Sequence, residues 1–161
     1  MSMTGLDVFD STIQKTNTWL KEIREALHLD EHVGNSPHPE ETARRYAYHV
    51  LRAVLHQLRD RLTVEEAAQF AAQLPLLVRG IFFEGWDPTD KPLRLRHEED
   101  FLMPVQEELH QIGLTISPQQ AARVVFEVLN RHISAGELAD VRAMLPKAIR
   151  HLWPEPSAQT A

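Results

Sequence analysis

Arg61-Leu62-Thr63-Val64-Glu65-Glu66-Ala67, followed by Ala72-Gln73-Leu74-Pro75, decides the fold of this chain. Thr63 and Glu66 are spaced as a capping box: the hydroxyl caps a backbone N–H of the first helical turn, and the glutamate reaches back to the N–H of the cap residue. Ala67, Phe70, Ala71 and Leu74 then recur at helical spacing and predict an apolar helix face. Pro75 has no N–H to donate, so the helix must kink there or restart as a separate one. The same arrangement returns 71 residues later, where Ser134-Ala135-Gly136-Glu137 is the box and Leu145-Pro146 the stop.

The register extends outward from these landmarks. Superposing residues 50–83 on 121–154 makes Arg52/Arg123, Val54/Val125, Leu58/Leu129, Glu66/Glu137, Ala68/Ala139, Ala72/Ala143, Leu74/Leu145, Pro75/Pro146 and Arg79/Arg150 identical. The leading helices align at a longer shift of 92, which pairs Phe9 with Phe101 and Ile13 with Val105. Each half therefore reads as helix, helix, capped helix, Leu-Pro and a further turn or two. Three helices of about 15 residues bury little apolar area alone, so two such halves are expected to share one core. The expectation is an all-α helical bundle with no sheet, formed by internal duplication from two similar three- or four-helix halves. It is a single domain over 6–154, with halves 6–84 and 97–154. Gly85-Trp86-Asp87-Pro88-Thr89-Asp90-Lys91-Pro92 dominates the loop 85–96 between them, and residues 155–161 read as a disordered tail.

Other segments agree with helices throughout. Phe9, Ile13, Leu20, Ile23 and Leu27 make one stripe, and Ala47, Val50, Leu51, Val54, Leu55, Leu58 and Leu62 make another. Pro39 suits the first position of the second helix, and Ser117-Pro118-Gln119-Gln120 starts a later one with serine as cap.

Composition narrows the chemistry. The chain has 161 residues, 43% of them hydrophobic, with 17 Lys and Arg against 23 Asp and Glu, a formal charge of −6, and no cysteine. Disulfides, thiolate zinc sites and cysteine nucleophiles are thereby excluded. The acidic balance argues against a general nucleic-acid binder. Met1–Asp10 has neither a basic start nor an apolar core, and the apolar run 74–83 is short and contains Arg79, so a soluble cytoplasmic protein without a membrane span is expected.

The quoted residues 61–67 and 72–75, together with Arg79-Gly80 and Glu84-Gly85-Trp86, resemble a bacterial family catalogued as domain of unknown function 2267. The second-half echo Ala143-Met144-Leu145-Pro146 and His151-Leu152-Trp153-Pro154 is similar to that family's C-terminal end. The resemblance runs from about Phe9 to Pro154 and implies an all-helical, duplicated, soluble bacterial protein. It implies no activity and no catalytic residues.

Nine histidines invite a metal reading, and Glu25-x-x-His28 and Glu107-x-x-His110 have the spacing that di-iron bundles turn inward. Here each glutamate lies two residues from apolar-stripe positions, roughly 200° around the helix, so both pairs should face solvent. No metal, cofactor or catalytic residue is expected. Serine elbows, phosphate-cradling glycine loops and His-Glu-x-x-His motifs are absent from the sequence, which weighs against an enzyme.

Arg45, His49, Arg52, His56 and Arg59 step by four, three, four and three along one helix face. This basic stripe reads either as a docking face for an acidic partner or as a solvated face paired with acids such as Glu98, Glu99 and Asp100. Lys91, Arg94 and Arg96 lead into that acidic run, which suits the first turn of a helix. Phe82 continues the core face, whereas Phe83 and Trp86 either cover the cleft between halves or form a protein-binding patch. Arg79 and Arg150 are placed to satisfy helix carbonyls. The sequence thus points to a non-catalytic interaction or adaptor module whose protein partner meets the Arg45–Arg59 stripe and Trp86. The alternative is a small-molecule or metal-binding bundle, with enzymatic activity not ruled out, using the cleft between halves. Nucleic acid is disfavoured, and self-association is left open.

Overall fold

The computed structural model describes residues 2–156. The expected disorder of the tail beyond residue 156 therefore lies outside the described residues. Among these residues the chain forms helices and turns without a strand. The order is α1 (Asp7–Ala26), a 3-10 turn (Leu29–His32), α2 (Pro39–Arg59), α3 (Val64–Ala71), α4 (Leu76–Phe83), α5 (Glu98–Gln111), α6 (Pro118–His132), α7 (Ala135–Met144) and α8 (Lys147–Arg150).

Local chemistry sets the boundaries. Thr63, Ser117 and Ser134 each accept a backbone N–H from the residue three positions on, at 3.1, 3.2 and 3.4 Å. The return half of the first capping box does not form: Oε2 of Glu66 is buried without a partner. Pro75 and Pro146 act as restarts, each giving a separate helix from the next residue. α5 ends in a Schellman motif, with Gly113 at φ +81°, Gly113 N–H on the His110 carbonyl and Leu114 N–H on the Leu109 carbonyl.

α2 and α6 carry the most continuous buried faces and lie against each other at the centre. α1 packs on α2, and α5 packs on α6; across the molecule α1 meets α6 and α5 meets α2. α3 touches α7, α1 touches α4, and α5 touches α8. These pairings keep their form when the two halves are exchanged. One continuous core results, with Phe70, Phe82, Phe101 and Phe126 wholly buried.

The leading helices adopt a register that sequence identity does not suggest. Phe9 is 45% exposed while Phe101 is fully buried, so the two do not hold equivalent places. Trp19 and Ile23 of α1 and Leu27 just past its end form one buried series, and Phe101, Val105 and Leu109 of α5 the other, an offset of 82 residues. Inter-half contacts agree with this offset. The His132 ring stacks on Trp19 at 5.3 Å, and the Arg61 guanidinium sits over Phe101 at 5.1 Å. Burial near the point where the halves meet, not identity, fixes the register. The first turns of α1 consequently project past the shared core.

Arg61 is buried for a reason that begins in α5. Pro104 cannot donate to the carbonyl of Asp100, four residues back, and Arg61 Nη2 donates to that oxygen instead at 3.0 Å. Its Nη1 holds the Gln57 carbonyl at 2.8 Å.

Gly80, inside α4, has no such task. Its φ is not positive, and a Cβ there would meet nothing within 4 Å. Gly80→Ala is expected to raise the unfolding free energy by about 0.5–1 kcal/mol, the ordinary helix-propensity gain. Urea denaturation measures it, and a loss of stability would show that the position is constrained from within the chain.

Candidate functional site

The basic stripe of α2 is sorted by its neighbours. Arg45 is exposed and pairs with Glu41 on its own helix at 3.2 Å. His49 Nδ1 lies 3.2 Å from Glu108, and Arg52 bridges Glu84 at 2.7 Å and Glu108 at 2.8 Å. His56 and Arg59 are buried. His56 Nε2 is 2.8 Å from the Ile81 carbonyl and so carries the proton that it donates. Arg59 Nη1 donates to the carbonyls of Phe82 and Glu84 at 3.0 and 2.9 Å, while its Nε pairs with Asp60 at 2.9 Å. His56 and Arg59 therefore close the C-terminal end of α4 from outside, and the Phe82 and Glu84 carbonyls have no further helical turn to accept from. The acidic partners of the stripe are Glu41, Asp60, Glu84 and Glu108. Glu98 instead faces His151 at 3.4 Å, and the Asp100 carboxylate accepts the N–H of His97.

Electrostatics follow from this arrangement. The hydrogen bond from Arg52 holds the Glu84 carboxyl below the ordinary carboxylate range, and the same contact strengthens the hold of Arg52 on its proton. Burial raises the Tyr48 phenol. Burial also lowers His56 from the ordinary 6.5, with Arg59 and Arg52 adding to the effect and the Ile81 carbonyl opposing it. Because the folded value is depressed, the stability gained by a neutral His56 is full above 6.5 and is lost as pH falls through the folded value. Urea midpoints between pH 7 and 4.5 should therefore decline less steeply for His56→Gln, whose amide can still reach the carbonyl. Parallel profiles for the two proteins would contradict this account.

Beside the stripe, Tyr48, His49, Arg52 and Glu84 of the first half and Pro104, Glu108 and Ile112 of α5 and its end line an open cleft of about 520 Å³. Its charged groups are largely paired with one another. Trp86 is not among the lining residues; it packs half-buried on Phe83 at 5.2 Å, and its indole N–H is buried without an acceptor. Both Glu-x-x-His pairs, Glu25/His28 and Glu107/His110, stand in solvent. Among the described residues no three His, Asp or Glu side chains gather as metal ligands. Arg79 and Arg150 do reach carbonyls, but those of the preceding segment: Arg79 donates to Ala71 and Leu74, and Arg150 to Leu145.

The outward face of α4 is the most unusual surface. Leu76 and Leu77 are 48% and 45% exposed, and Gly80, one turn on, is exposed as well. The only charged side chain of α4, Arg79, is folded back onto the Ala71 and Leu74 carbonyls. Leu77 N–H donates to Thr12 Oγ1 at 2.9 Å, which fixes α4 against the projecting start of α1. There Val8 and Phe9, four and three residues before Thr12, are exposed too. After the second Leu-Pro step the corresponding positions of α8 and its end are Lys147, Ala148 and His151, an ordinary solvated face. Leu76 and Leu77 sit in an apolar run and so read as core from the sequence. Setting the two post-proline turns side by side is the signal that would have found them.

Among the described residues the chain is an all-helical bundle that exposes apolar side chains on α4 and on the start of α1. Residues 16–152 match the family described as an uncharacterized conserved protein, DUF2267, and the chain belongs to that family. No curated protein matches the sequence. Among the described residues no helix is long and apolar enough to cross a membrane.

Proposed function

We propose that this chain is a non-catalytic protein–protein interaction module of the bacterial cytoplasm, built by duplication of one helical unit, which docks a protein partner across the outward face of α4. The observation that carries the reading is the contrast between Leu76, Leu77 and Gly80 on α4 and Lys147, Ala148 and His151 at the corresponding places after Pro146. Exposed apolar patches with no internal purpose mark docking sites. The duplication is supported by the two Leu-Pro restarts, the paired caps at Thr63 and Ser134, and the three contact pairs α1–α2/α5–α6, α1–α6/α5–α2 and α1–α4/α5–α8, although α2–α4 and α6–α7 lack counterparts of like extent. His56 and Arg59 of the Arg45–Arg59 stripe serve the proposal indirectly, by seating α4.

Paired affinity captures with wild type and Leu77→Glu test the proposal. A chain retained at near one-to-one ratio by wild type and lost by Leu77→Glu is the expected result; equal retention by both would overturn it. A small-molecule site in the cleft between halves is the second reading, favoured by its volume and by walls from both halves. Native mass measurement of the purified protein, with release of a bound compound on unfolding, is its test.

A further inference from the structure

We propose that the occupant of the α4 face is a basic amphipathic helix of another chain, an inference that rests on the docking reading above. Three observations point to it. The first is Gly80. A glycine inside a helix costs stability, and nothing within this chain needs its missing side chain. Its use is outward: it lets a second helix approach the α4 backbone closely, with Leu76 and Leu77 one turn away as apolar contacts. The second is length. The projecting start of α1 adds Val8 and Phe9 beside α4, so the apolar strip spans two elements, as a helix laid into a groove requires.

The third observation is charge. Asp7 and Asp10 flank Val8 and Phe9, and Asp10 accepts from Thr4 and Ser2, which holds its carboxyl below the ordinary range. Glu84 lies one turn beyond Gly80, and Arg52 is shared between Glu84 and Glu108, so that cluster keeps a negative balance. Against these acids stand Lys15, the one cation in residues 7–17, and Arg79, which is turned inward. A second copy of this chain would bring the same acids and a further formal charge of −6 to the contact. Charge complementarity therefore favours a basic partner and disfavours self-pairing.

Two synthetic peptides test this, one a Leu/Lys amphipathic helix and the other its Leu/Glu twin with the same apolar face. Each is titrated by fluorescence anisotropy into wild type, Leu77→Glu and Gly80→Gln. The expected result is tighter binding of the Leu/Lys peptide, weakened at least about tenfold by either substitution. Leu77→Glu makes the protein more acidic, so nonspecific attraction of the basic peptide would rise instead of falling. Gly80→Gln keeps the fold testable, since its side chain enters open space and improves helix propensity. Equal or tighter binding of the Leu/Glu twin that is still lost in Leu77→Glu would overturn the basic partner while sparing the docking face. Binding unaffected by both substitutions, or no binding of either peptide, would overturn both. A wild-type dimer by light scattering that becomes a monomer in Leu77→Glu would make a second copy the occupant and overturn the inference.

Discussion

Replacing Arg59 with leucine is expected to lower the unfolding free energy by about 3–5 kcal/mol, the range for breaking a buried, hydrogen-bonded charge pair. Arg59 is only 5% exposed, and three acceptors depend on it: the carbonyls of Phe82 and Glu84 and the carboxylate of Asp60. A leucine could fill part of the space but would leave all three without their donor, and the half-buried Asp60 without its cation. Urea denaturation at pH 7 measures the change, with the slope expected to stay constant. Arg45→Ala is the control from the same stripe. Arg45 is exposed and pairs only along its own helix, so its loss should shift stability by no more than about 0.5 kcal/mol. Similar effects at the two positions would mean that Arg59 does not close α4 as described.

Trp153→Ala is the second large effect, at about 3–5 kcal/mol for removing a large buried aromatic side chain. The indole lies flat on Phe126, with centroids 4.2 Å apart and planes 2° from parallel. Its Nε1 donates to Asn130 Oδ1 at 2.8 Å, and the Asn130 amide in turn donates to the Pro154 carbonyl at 2.9 Å. Asn130 thus does for the end of the second half what Arg59 does for the end of the first. Trp153→Phe removes the hydrogen bond but keeps much of the stack, so it should cost clearly less than the alanine variant. Thermal unfolding followed by far-UV circular dichroism ranks the three proteins. Equal midpoints for wild type and alanine would show that the last residues of the domain are not part of its core.

The parts of the fold that are legible in sequence are those determined within one helical turn. Thr63, Ser117 and Ser134 announce helix starts because the capping bond spans three residues, and Pro75 and Pro146 announce restarts because the missing N–H is a property of one residue. The register of α1 against α5 is different. Phe9 matches Phe101 in identity, yet Trp19 takes the buried place, because burial depends on how far each helix runs before meeting its neighbours. The stripe on α2 shows the same limit. Arg and His at steps of three and four have the same pattern whether they face water or the carbonyls of a helix some 25 residues away, so neither His56 nor Arg59 could be placed from spacing alone. Leu76 and Leu77 were hidden for the opposite reason: an apolar helix flanked by core residues looks wholly internal until its neighbours are known.

The way α2 grips α4 also bears on how fast partners come and go. His56 and Arg59 fasten the last turn of α4 to a helix that is itself wedged between α1, α5 and α6. The exposed leucines are therefore displayed from a stiff mount, which suits the proposed docking role. A partner that folds onto such a surface pays the ordering entropy on its own side only. Docking as proposed would then need no rearrangement of this chain. Differences among competing partners should emerge in residence time, with encounter rates varying far less.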